Sequence, residues 1–480
     1  MAPPNVNAVE AIRHNPFRRV ASTHCRTRVF HRAGKSLLGT MHKMEVLRRV
    51  SLSAALLTLL AAPGRAQTPQ PQLLPEVTDD LHMNEPLQAR FDRRGLIEPI
   101  QIGPFQLSLL TQFDFAFNDN IYAQTANQKS DFFFDLGLKA MTTYRYEDFS
   151  AELDTYFLDH QFLRYTTENF WETNDSLTLR EAPRPDFSYF LTTGLARLAV
   201  PRTDPNPING KTPATYLLYT GTGGVTIGSG LRNLLTLSVG IDKTEFDQIQ
   251  GLNGLIDATA RNRTEVFGDF RFDHVFFGQQ KVFVELRPNT RNYDQAVDPA
   301  GFRQASNGGR IDTGVQLEPN GAFLITVATG WQQQEYNDPR FGSIGEPDAT
   351  VEVQWSPTLL TQLDAKYIHE YSEDINAAGE GTPFSLGGIN SPGYTHDQAI
   401  FTLQHELRRD FLATMYVSDD YRELEGSPRR YQVLDIGPRL QYRLPSEVTL
   451  GFSYDREELH SNGPVNYGDD IAMFTVKKQF

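Results

Sequence analysis

From Phe105 to the end, the chain alternates between apolar and polar residues with a period of two. Phe113 and Phe115 occupy one parity, whereas Gln112 and Asp114 occupy the other. Successive side chains of a β-strand point to opposite faces, so each such segment predicts a strand with one apolar and one polar face. The same split recurs through the rest of the chain, which indicates an all-β protein.

Eighteen segments of this kind are found, and we expect between 16 and 20 strands. The strands are predicted to begin near residues 105, 131, 148, 172, 187, 215, 231, 262, 278, 310, 322, 348, 361, 394, 411, 431, 447 and 470. Two environments fit such strands. A soluble β-sandwich buries the apolar face in its core, whereas a membrane barrel turns that face toward lipid and keeps a wet interior.

The connections between the segments favour the barrel, because they alternate between short and long. Tyr146–Asp148 and Trp355–Pro357 are tight, whereas 118–130 and 372–393 are long. Outer-membrane barrels have short periplasmic turns and long extracellular loops, and a sandwich has no reason to alternate in this way. We therefore predict a transmembrane antiparallel β-barrel of about 18 strands, with both of its ends on the periplasmic side.

The last residues carry a second indication of a barrel. Ala472, Phe474, Val476 and Phe480 share one parity, and Phe480 is the last residue. An amphipathic final strand that closes on an aromatic residue resembles the signal that bacterial barrel-assembly machinery reads. Phe480 is therefore the predicted assembly signal, and the barrel-assembly machinery is a predicted partner.

The beginning of the chain has the features of an export signal. Basic residues around Arg49 precede an uncharged segment, Leu52–Ala62, and the small residue Ala66 follows at the expected cleavage position. The uncharged segment is too short to span a bilayer as a helix, which needs about 20 apolar residues. We therefore predict a secretory signal peptide over residues 44–66.

The remaining boundaries follow from composition. Residues 1–43 are too long and too basic to belong to the signal peptide, and we expect them to arise from an upstream start codon. Residues 67–104 are rich in Pro and Gln, which is typical of a periplasmic tail or linker. The barrel is expected to occupy residues 105–480, in the outer membrane of a Gram-negative bacterium.

Charge and cysteine content exclude several functions. Of 45 basic and 59 acidic residues, eleven basic and two acidic ones precede residue 67, which leaves 34 basic and 57 acidic residues. So acidic a protein is a poor partner for nucleic acid. The single cysteine, Cys25, lies before the predicted cleavage site, and no histidines are paired at the spacing of zinc hydrolases. We predict no catalytic residues, no metal and no cofactor, and expect that the protein is not an enzyme.

The polar parity of the strands carries charges of both signs. On a lipid-facing surface each would cost several kcal/mol, whereas on a lumen wall each stays hydrated. A barrel of 16–18 strands is wide enough for an aqueous channel, and no inserted plug of sufficient length is evident. The predicted pore-lining residues are Asp114, Lys139, Glu152, Asp154, Asp242, Asp269, Arg271, Glu285, Arg287, Arg291, Arg310, Asp312, Asp364, Lys366, Glu406, Arg408, Asp435, Arg439, Arg443 and Asp455.

Features at the ends of the strands lead to two further expectations. Three acid pairs near long loops are expected to be solvated rim charges that hold divalent cations against lipopolysaccharide phosphates. These pairs are Asp419-Asp420, Glu457-Glu458 and Asp469-Asp470. The loops 118–130, 293–309 and 372–393 are the candidates for folding inward to constrict the pore.

A family resemblance rests on the first strand and its loop. The sequence Phe-Ala-Phe-Asn-Asp-Asn-Ile-Tyr over 115–122, with Lys-Ser-Asp-Phe over 129–132, resembles the second putative β-barrel porin family. The resemblance extends over roughly 105–480. It implies an outer-membrane porin, of a kind that often accompanies exopolysaccharide synthesis and export genes, and it transfers no catalytic residues. The basic extension before Met44 departs from the family pattern and bears only on the start site.

These observations predict a porin-like channel for passive passage of hydrophilic solutes, with weak cation preference and with exopolysaccharide as one candidate cargo. Tyr156 and Tyr416 are candidates for stacking on sugar rings, although packing against loops is the alternative. The expected partners are membrane lipid, lipopolysaccharide and polysaccharide-export components. Two other functions remain open: a plugged structural or docking barrel, and a barrel hydrolase.

Overall fold

The computed structural model describes residues 86–94, 97–203, 210–229, 232–251, 254–256, 258–298, 301–373, 391–463 and 466–480. The predicted extension 1–43 and the signal peptide 44–66 lie outside these ranges, as does most of the 372–393 loop. Within the described ranges, no helix has the length and hydrophobicity needed to cross a membrane.

Eighteen long strands pair antiparallel, each with the next along the chain, and the last pairs with the first to close a barrel. The strands are β1 (Phe105–Asn118), β2 (Asp131–Tyr146), β3 (Phe149–Phe162), β4 (Phe170–Arg184), β5 (Phe187–Ala199), β6 (Thr215–Ser229), β7 (Asn233–Phe246), β8 (Arg263–Phe277), β9 (Gln280–Tyr293), β10 (Ser306–Leu317), β11 (Phe323–Tyr336), β12 (Ser343–Thr358), β13 (Thr361–Ser372), β14 (Tyr394–Arg408), β15 (Phe411–Leu424), β16 (Arg430–Arg443), β17 (Val448–Ser461) and β18 (Tyr467–Gln479). The predicted fold class and strand number are confirmed.

The smaller elements lie before the barrel and in its loops. A seven-residue helix, α1 (Leu87–Arg93), precedes the barrel. The remaining elements are the short strands Ile100–Ile102, Ile249–Gly251 and Gly254–Ile256 and the 3-10 turns Thr166–Glu168 and Thr259–Arg261. The barrel has a short-turn end, where β2 joins β3 and β14 joins β15, and a long-loop end, where β1 joins β2.

The two faces of the wall show which side contacts lipid. Val239 is 60% exposed and Phe452 is 50% exposed, although both are large and apolar. Asp114 and Asp312, on the opposite face, are 3% and 5% exposed. A soluble sandwich would bury the apolar residues instead, so the apolar face is the outer one.

Aromatic pairs surround the barrel at its short-turn end. Phe323 of β11 stacks on Trp355 of β12 with ring centroids 5.6 Å apart. Phe411 and Tyr442 make a T-shaped contact at 6.1 Å. Girdles of this kind are expected where a barrel meets the membrane–water interface.

The seam between β1 and β18 is completed by a segment from outside the barrel. The two strands pair from Leu110, opposite Gln479, to Asn118, opposite Ile471. Beyond the end of β18, the first three residues of β1 pair instead with Ile100–Ile102. This short strand covers an edge that would otherwise expose unpaired backbone groups. It lies in the stretch 67–104 that was predicted to be a linker.

Several inward aromatic rings fill the space above a glycine of the neighbouring strand. Phe267 covers Gly240, Phe283 covers Gly314, and Tyr416 covers Gly437. A Cβ atom placed on Gly240 would lie 2.3 Å from Cζ of Phe267. Such pairs fix the register of neighbouring strands, because the ring fits only where no side chain stands. Tyr416 thus packs over a glycine of the neighbouring strand and not against a loop, and its stacking on sugar rings stays a prediction.

Gly240→Ala is expected to lower the free energy of unfolding by about 1–3 kcal/mol, because the new methyl group overlaps the Phe267 ring. Adding Phe267→Leu removes the overlap and should recover part of the loss. Urea unfolding in lipid vesicles measures both variants and the double variant. Simple additivity of the two single effects would contradict the proposed contact.

Candidate translocation path

Strand register determines which charged residues face the interior. Directly paired residues of neighbouring strands lie on the same face of the sheet. The orientation of one residue therefore determines the orientation of its partners on all the other strands. The inner face carries Asp114, Lys139, Glu152, Asp154, Asp242, Asp269, Arg271, Glu285, Arg287, Arg291, Arg310, Asp312, Asp364, Lys366, Glu406, Asp435, Arg439, Arg443 and Asp455. That these side chains contact a passing solute stays a prediction.

Arg408 is the exception among the predicted pore-lining residues. A register shift separates Glu406 from Arg408, and Arg408 pairs with Phe411. Phe411 in turn pairs with Tyr442, which belongs to the outer aromatic girdle. Strict alternation placed Arg408 inside, and this prediction is wrong because the bulge moves it to the outer parity.

An ionic network covers the inner face from β10 to β15. Nitrogen atoms of Arg310 lie 2.8 Å from Asp312, 2.9 Å from Asp348 and 3.0 Å from Glu370. The side chain of Asp348 is almost fully buried, so its charge depends on this guanidinium. Glu370 connects the group to the next strand through His396, at 3.2 Å.

The network continues on both sides of Arg310. His396 also lies 3.3 Å from Asp420, which pairs with Arg422. On the other side, Arg271 contacts Glu285 at 2.9 Å and Asp273 at 3.0 Å. Because acids and bases alternate along these strands, this part of the wall largely neutralises itself.

The inner face from β16 to β18 is different, because its acids lack basic partners. Asp435, Glu457 and Asp469 are directly opposite one another on three neighbouring strands. Tyr416 Oη lies 3.0 Å from Asp435 and 2.8 Å from Asp455. Among the described residues, no ion pair forms to any of these four carboxyl groups. The wall therefore carries an acidic patch, formed by Asp435, Asp455, Glu457 and Asp469.

The three acid pairs are each divided between the two faces. The inner members are Asp420, Glu457 and Asp469, and the outer members are Asp419, Glu458 and Asp470. Outside the barrel, Arg456 pairs with Glu458 and with Asp470. The expectation that both members are rim charges is wrong for the inner ones, because adjacent strand residues point to opposite faces.

The inner face of β5 and β6 carries no charged side chain in the described parts of these two strands. Hydroxyl groups dominate it instead, and Thr178 of β4 lies 3.2 Å from Thr192 of β5 between their Oγ1 atoms. The hydroxyl-bearing inner residues of β5 and β6 are Ser188, Thr192, Tyr216, Thr220, Thr222 and Thr226.

At the long-loop end, the connection after β5 approaches the acidic patch. Tyr467 Oη lies 2.6 Å from the carbonyl oxygen of Thr203 and 2.6 Å from Glu457 Oε1. Arg202 holds the same connection to Glu168, with Nε 2.9 Å from Oε2. This loop is not among the predicted constriction loops, and its only signal in the sequence is the opposite charge of Arg202 and Glu168.

The predicted constriction loops pack along the rim. In the 118–130 loop, Tyr122 contacts Tyr165 of the next loop with ring centroids 5.8 Å apart. In the 293–309 loop, the backbone N–H of Arg303 donates to Asp338 at 2.9 Å. Hydrogen bonds from the Arg340 side chain, and then from backbone N–H groups, hold the pKa of Asp338 well below its usual value. The described contacts of these two loops are thus with neighbouring loops and, for 118–130, also with the start of β18, where Asn120 Nδ2 donates to the carbonyl oxygen of Gly468 at 2.8 Å.

Helix α1 lies inside the short-turn end of the barrel. Leu87 and Phe91 are fully buried and pack against Leu412 on the inner face of β15. Arg94, just after the helix, forms two contacts with Glu406 of β14, at 2.5 and 2.7 Å. Residues 86–94 therefore occupy part of the mouth of the barrel, although they are far shorter than the inserted plug domain that the sequence was found to lack.

The described residues contain no group of three or more His, Cys, Asp and Glu side chains placed to hold a metal ion. Arg439, by contrast, is exposed on the inner face of β16. The inner wall thus presents charged groups and hydroxyl groups, an arrangement suited to polar solutes in water.

Comparison with known protein families gives a match over most of the chain. The family model described as "Putative beta-barrel porin 2" matches residues 98–480. No curated protein matches the sequence.

Among solved structures, the chain is similar to Pseudomonas aeruginosa OpdQ, with 11% identity, a TM-score of 0.44, and 79% of this chain and 98% of that chain covered. It is also similar to Pseudomonas aeruginosa OccK2 (OpdF), with 12% identity, a TM-score of 0.45, and 78% and 97% covered. Similarity at this level carries no information about the transported solute.

Proposed function

Because the chain belongs to the family described as "Putative beta-barrel porin 2", we propose that it is a passive outer-membrane channel for hydrophilic solutes with a preference for cations. The family assignment agrees with the resemblance seen at 115–122 and 129–132. In this proposal the short-turn end faces the periplasm, and the protein reaches the outer membrane through the predicted signal peptide. Lipid and lipopolysaccharide surround it, and Phe480 is read by the barrel-assembly machinery.

The observation that carries the proposal is the polarity of the wall. A closed sheet of 18 strands carries ionised residues on its inner face and large apolar residues on its outer face. Charged groups on a wall need water or ionic partners, and barrels of this size leave room for water. Both facts support a hydrated path through the barrel.

The cation preference rests on the acidic patch. Bases of the network from β8 to β15 are matched by neighbouring acids, whereas the patch has no basic partner among the described residues. An uncompensated group of like charges raises the local concentration of counter-ions. Cations are therefore expected to enter more readily than anions of the same size.

Exopolysaccharide remains the second candidate cargo, and one observation favours it. The uncharged inner face of β5 and β6 offers hydroxyl groups that donate and accept hydrogen bonds, as sugar hydroxyls do. The acidic patch would repel an anionic polymer, so a neutral or amine-bearing glycan is the better match. Polysaccharide-export components would then be the partners.

Recordings in planar bilayers under a potassium chloride gradient test the channel and its selectivity. We expect steady conductance, and a reversal potential that indicates cation preference. Glu457→Gln should lower the potassium-to-chloride permeability ratio by about twofold, because it removes one charge from the patch. Glu458→Gln is the matched control, since this neighbour faces outward.

Two results would contradict the proposal. Silence from protein that shows the heat-modifiable migration of a folded barrel, both for the full chain and for a variant that lacks residues 86–94 at its mouth, would exclude a channel. Equal effects of Glu457→Gln and Glu458→Gln would show that the patch does not face the ion path.

A further inference from the structure

The helix α1 is held by side chains from four neighbouring strands at the short-turn mouth. The backbone N–H of Leu87 donates to Gln362 of β13 at 2.6 Å, and that of Gln88 donates to Gln404 of β14 at 3.2 Å. Both glutamines are on the inner face. The barrel wall thus supplies the acceptors that the first turn of a helix lacks.

The other end of α1 is held by charge. Arg94 bonds Glu406 with both of its terminal nitrogens, and Glu406 is only 2% exposed. Arg443 of β16 lies over the Phe91 ring, 4.2 Å from its centroid, and donates to the carbonyl oxygen of Phe91. A bidentate pair to a buried carboxylate fixes orientation as well as position.

The helix has little stability of its own. It contains seven residues, and Pro86 before it provides no side-chain cap. Isolated helices shorter than about 12–15 residues are marginal in water, so α1 depends on the wall for its structure. Only Leu87 and Phe91 of α1, with Leu412 of the wall, form its buried apolar contact. Release would therefore expose little apolar surface and yield an unfolded segment that occupies no fixed place.

We propose that residues 86–94 form a displaceable plug that narrows the periplasmic mouth of the channel. This inference rests on the proposed function, because a plug matters only where there is a path to close. The docked helix leaves a restricted passage beside it, and the released segment leaves the mouth open. The Arg94–Glu406 pair holds the docked state, since it joins the C-terminal end of the plug to the wall.

Single-channel recording of four forms tests the plug. The first form is wild type, the second lacks residues 86–94, and the third is Glu406→Gln. The fourth carries Arg94→Cys with Glu406→Cys, bridged by a short bis-methanethiosulfonate reagent. The only native cysteine is Cys25, so the engineered pair is selective. Since a helix with its side chains is about 10 Å wide, we expect the deletion to raise conductance by about twofold or more.

The other two forms should differ from wild type in conductance, in opposite directions. Glu406→Gln should visit the larger conductance more often, and the bridged form should stay at the lowest level until a reductant releases it. Glu458→Gln is the control, because Glu458 is an acid on the outer face that pairs with Arg456 and not with α1. It should leave conductance near wild type.

The outcomes separate the plug from the channel. Equal conductance of the four forms overturns the plug and leaves the channel intact. Conductance only in the deletion and in Glu406→Gln supports a plug that closes the mouth completely. Silence of every form that migrates as a folded barrel overturns the proposed function itself.

Discussion

Val239→Arg is expected to lower the free energy of unfolding in lipid vesicles by about 2–4 kcal/mol, or to prevent insertion altogether. Val239 lies at the middle of β7, on the outer face, and is 60% exposed. In a membrane this exposed surface contacts hydrocarbon, where an arginine finds neither water nor a partner. Urea titration of folding into vesicles, followed by tryptophan fluorescence, measures the loss.

A matched substitution on the other face separates lipid contact from general damage. Thr220 of β6 faces inward and pairs directly with Asp242. Thr220→Arg introduces the same side chain on the neighbouring strand, but beside an acid and water. We expect its effect to stay within about 1 kcal/mol. If the two variants lost the same stability, the assignment of the outer face would be wrong.

Arg310→Ala is expected to cost about 3–5 kcal/mol, because it leaves the buried carboxylates of Asp312 and Asp348 without their partner. Arg310 contacts Asp312, Asp348 and Glu370, and Asp348 is only 2% exposed. Without the guanidinium, these carboxylates repel one another inside the wall. Chemical unfolding at neutral pH measures the loss, which should shrink as acid protonates the three groups.

Arg456→Ala serves as the control for removing a paired arginine. Arg456 also contacts two acids, Glu458 and Asp470, but its side chain is 44% exposed on the outer face. Exposed ion pairs contribute about 0–1 kcal/mol, so this variant should remain close to wild type. Comparable losses in both variants would show that burial of the network adds nothing.

The sequence was sufficient to predict the barrel, because one physical signal dominates the sequence. A wall with lipid on one side and water on the other imposes a period of two on every strand. The predictions of strand boundaries were least accurate where the sequence lacks this alternation. The strand predicted to begin near residue 348 begins at Ser343. The prediction started too late because the first five residues, Ser-Ile-Gly-Glu-Pro, do not alternate between apolar and polar.

The inner face was also predictable, apart from one residue. Alternation counts positions correctly until a bulge inserts an extra one, as happens before Arg408. The sequence could not predict which acids are neutralised by a basic partner, because that depends on which strands become neighbours. Arg310 reaches Glu370 across two intervening strands, a contact that no local pattern encodes.

The plug and the approach of Thr203 to Tyr467 were missed for a related reason. Leu87 and Gln362 are 275 positions apart, and Thr203 and Tyr467 are 264 apart. Seven helical residues after a Pro- and Gln-rich stretch have no distinctive periodicity, and the partner side chains are ordinary wall glutamines. Such contacts become visible only when the closed barrel brings distant segments together.

The pairing of β1 with β18 has a kinetic consequence. Every other junction of the barrel joins strands that follow each other in the chain, and each can form as soon as its hairpin exists. The residues that close the circle, such as Phe115 and Phe474, are separated by most of the polypeptide. Closure must therefore be the slow, final event of assembly, and until it occurs both margins of the nascent sheet are open to aggregation with other chains.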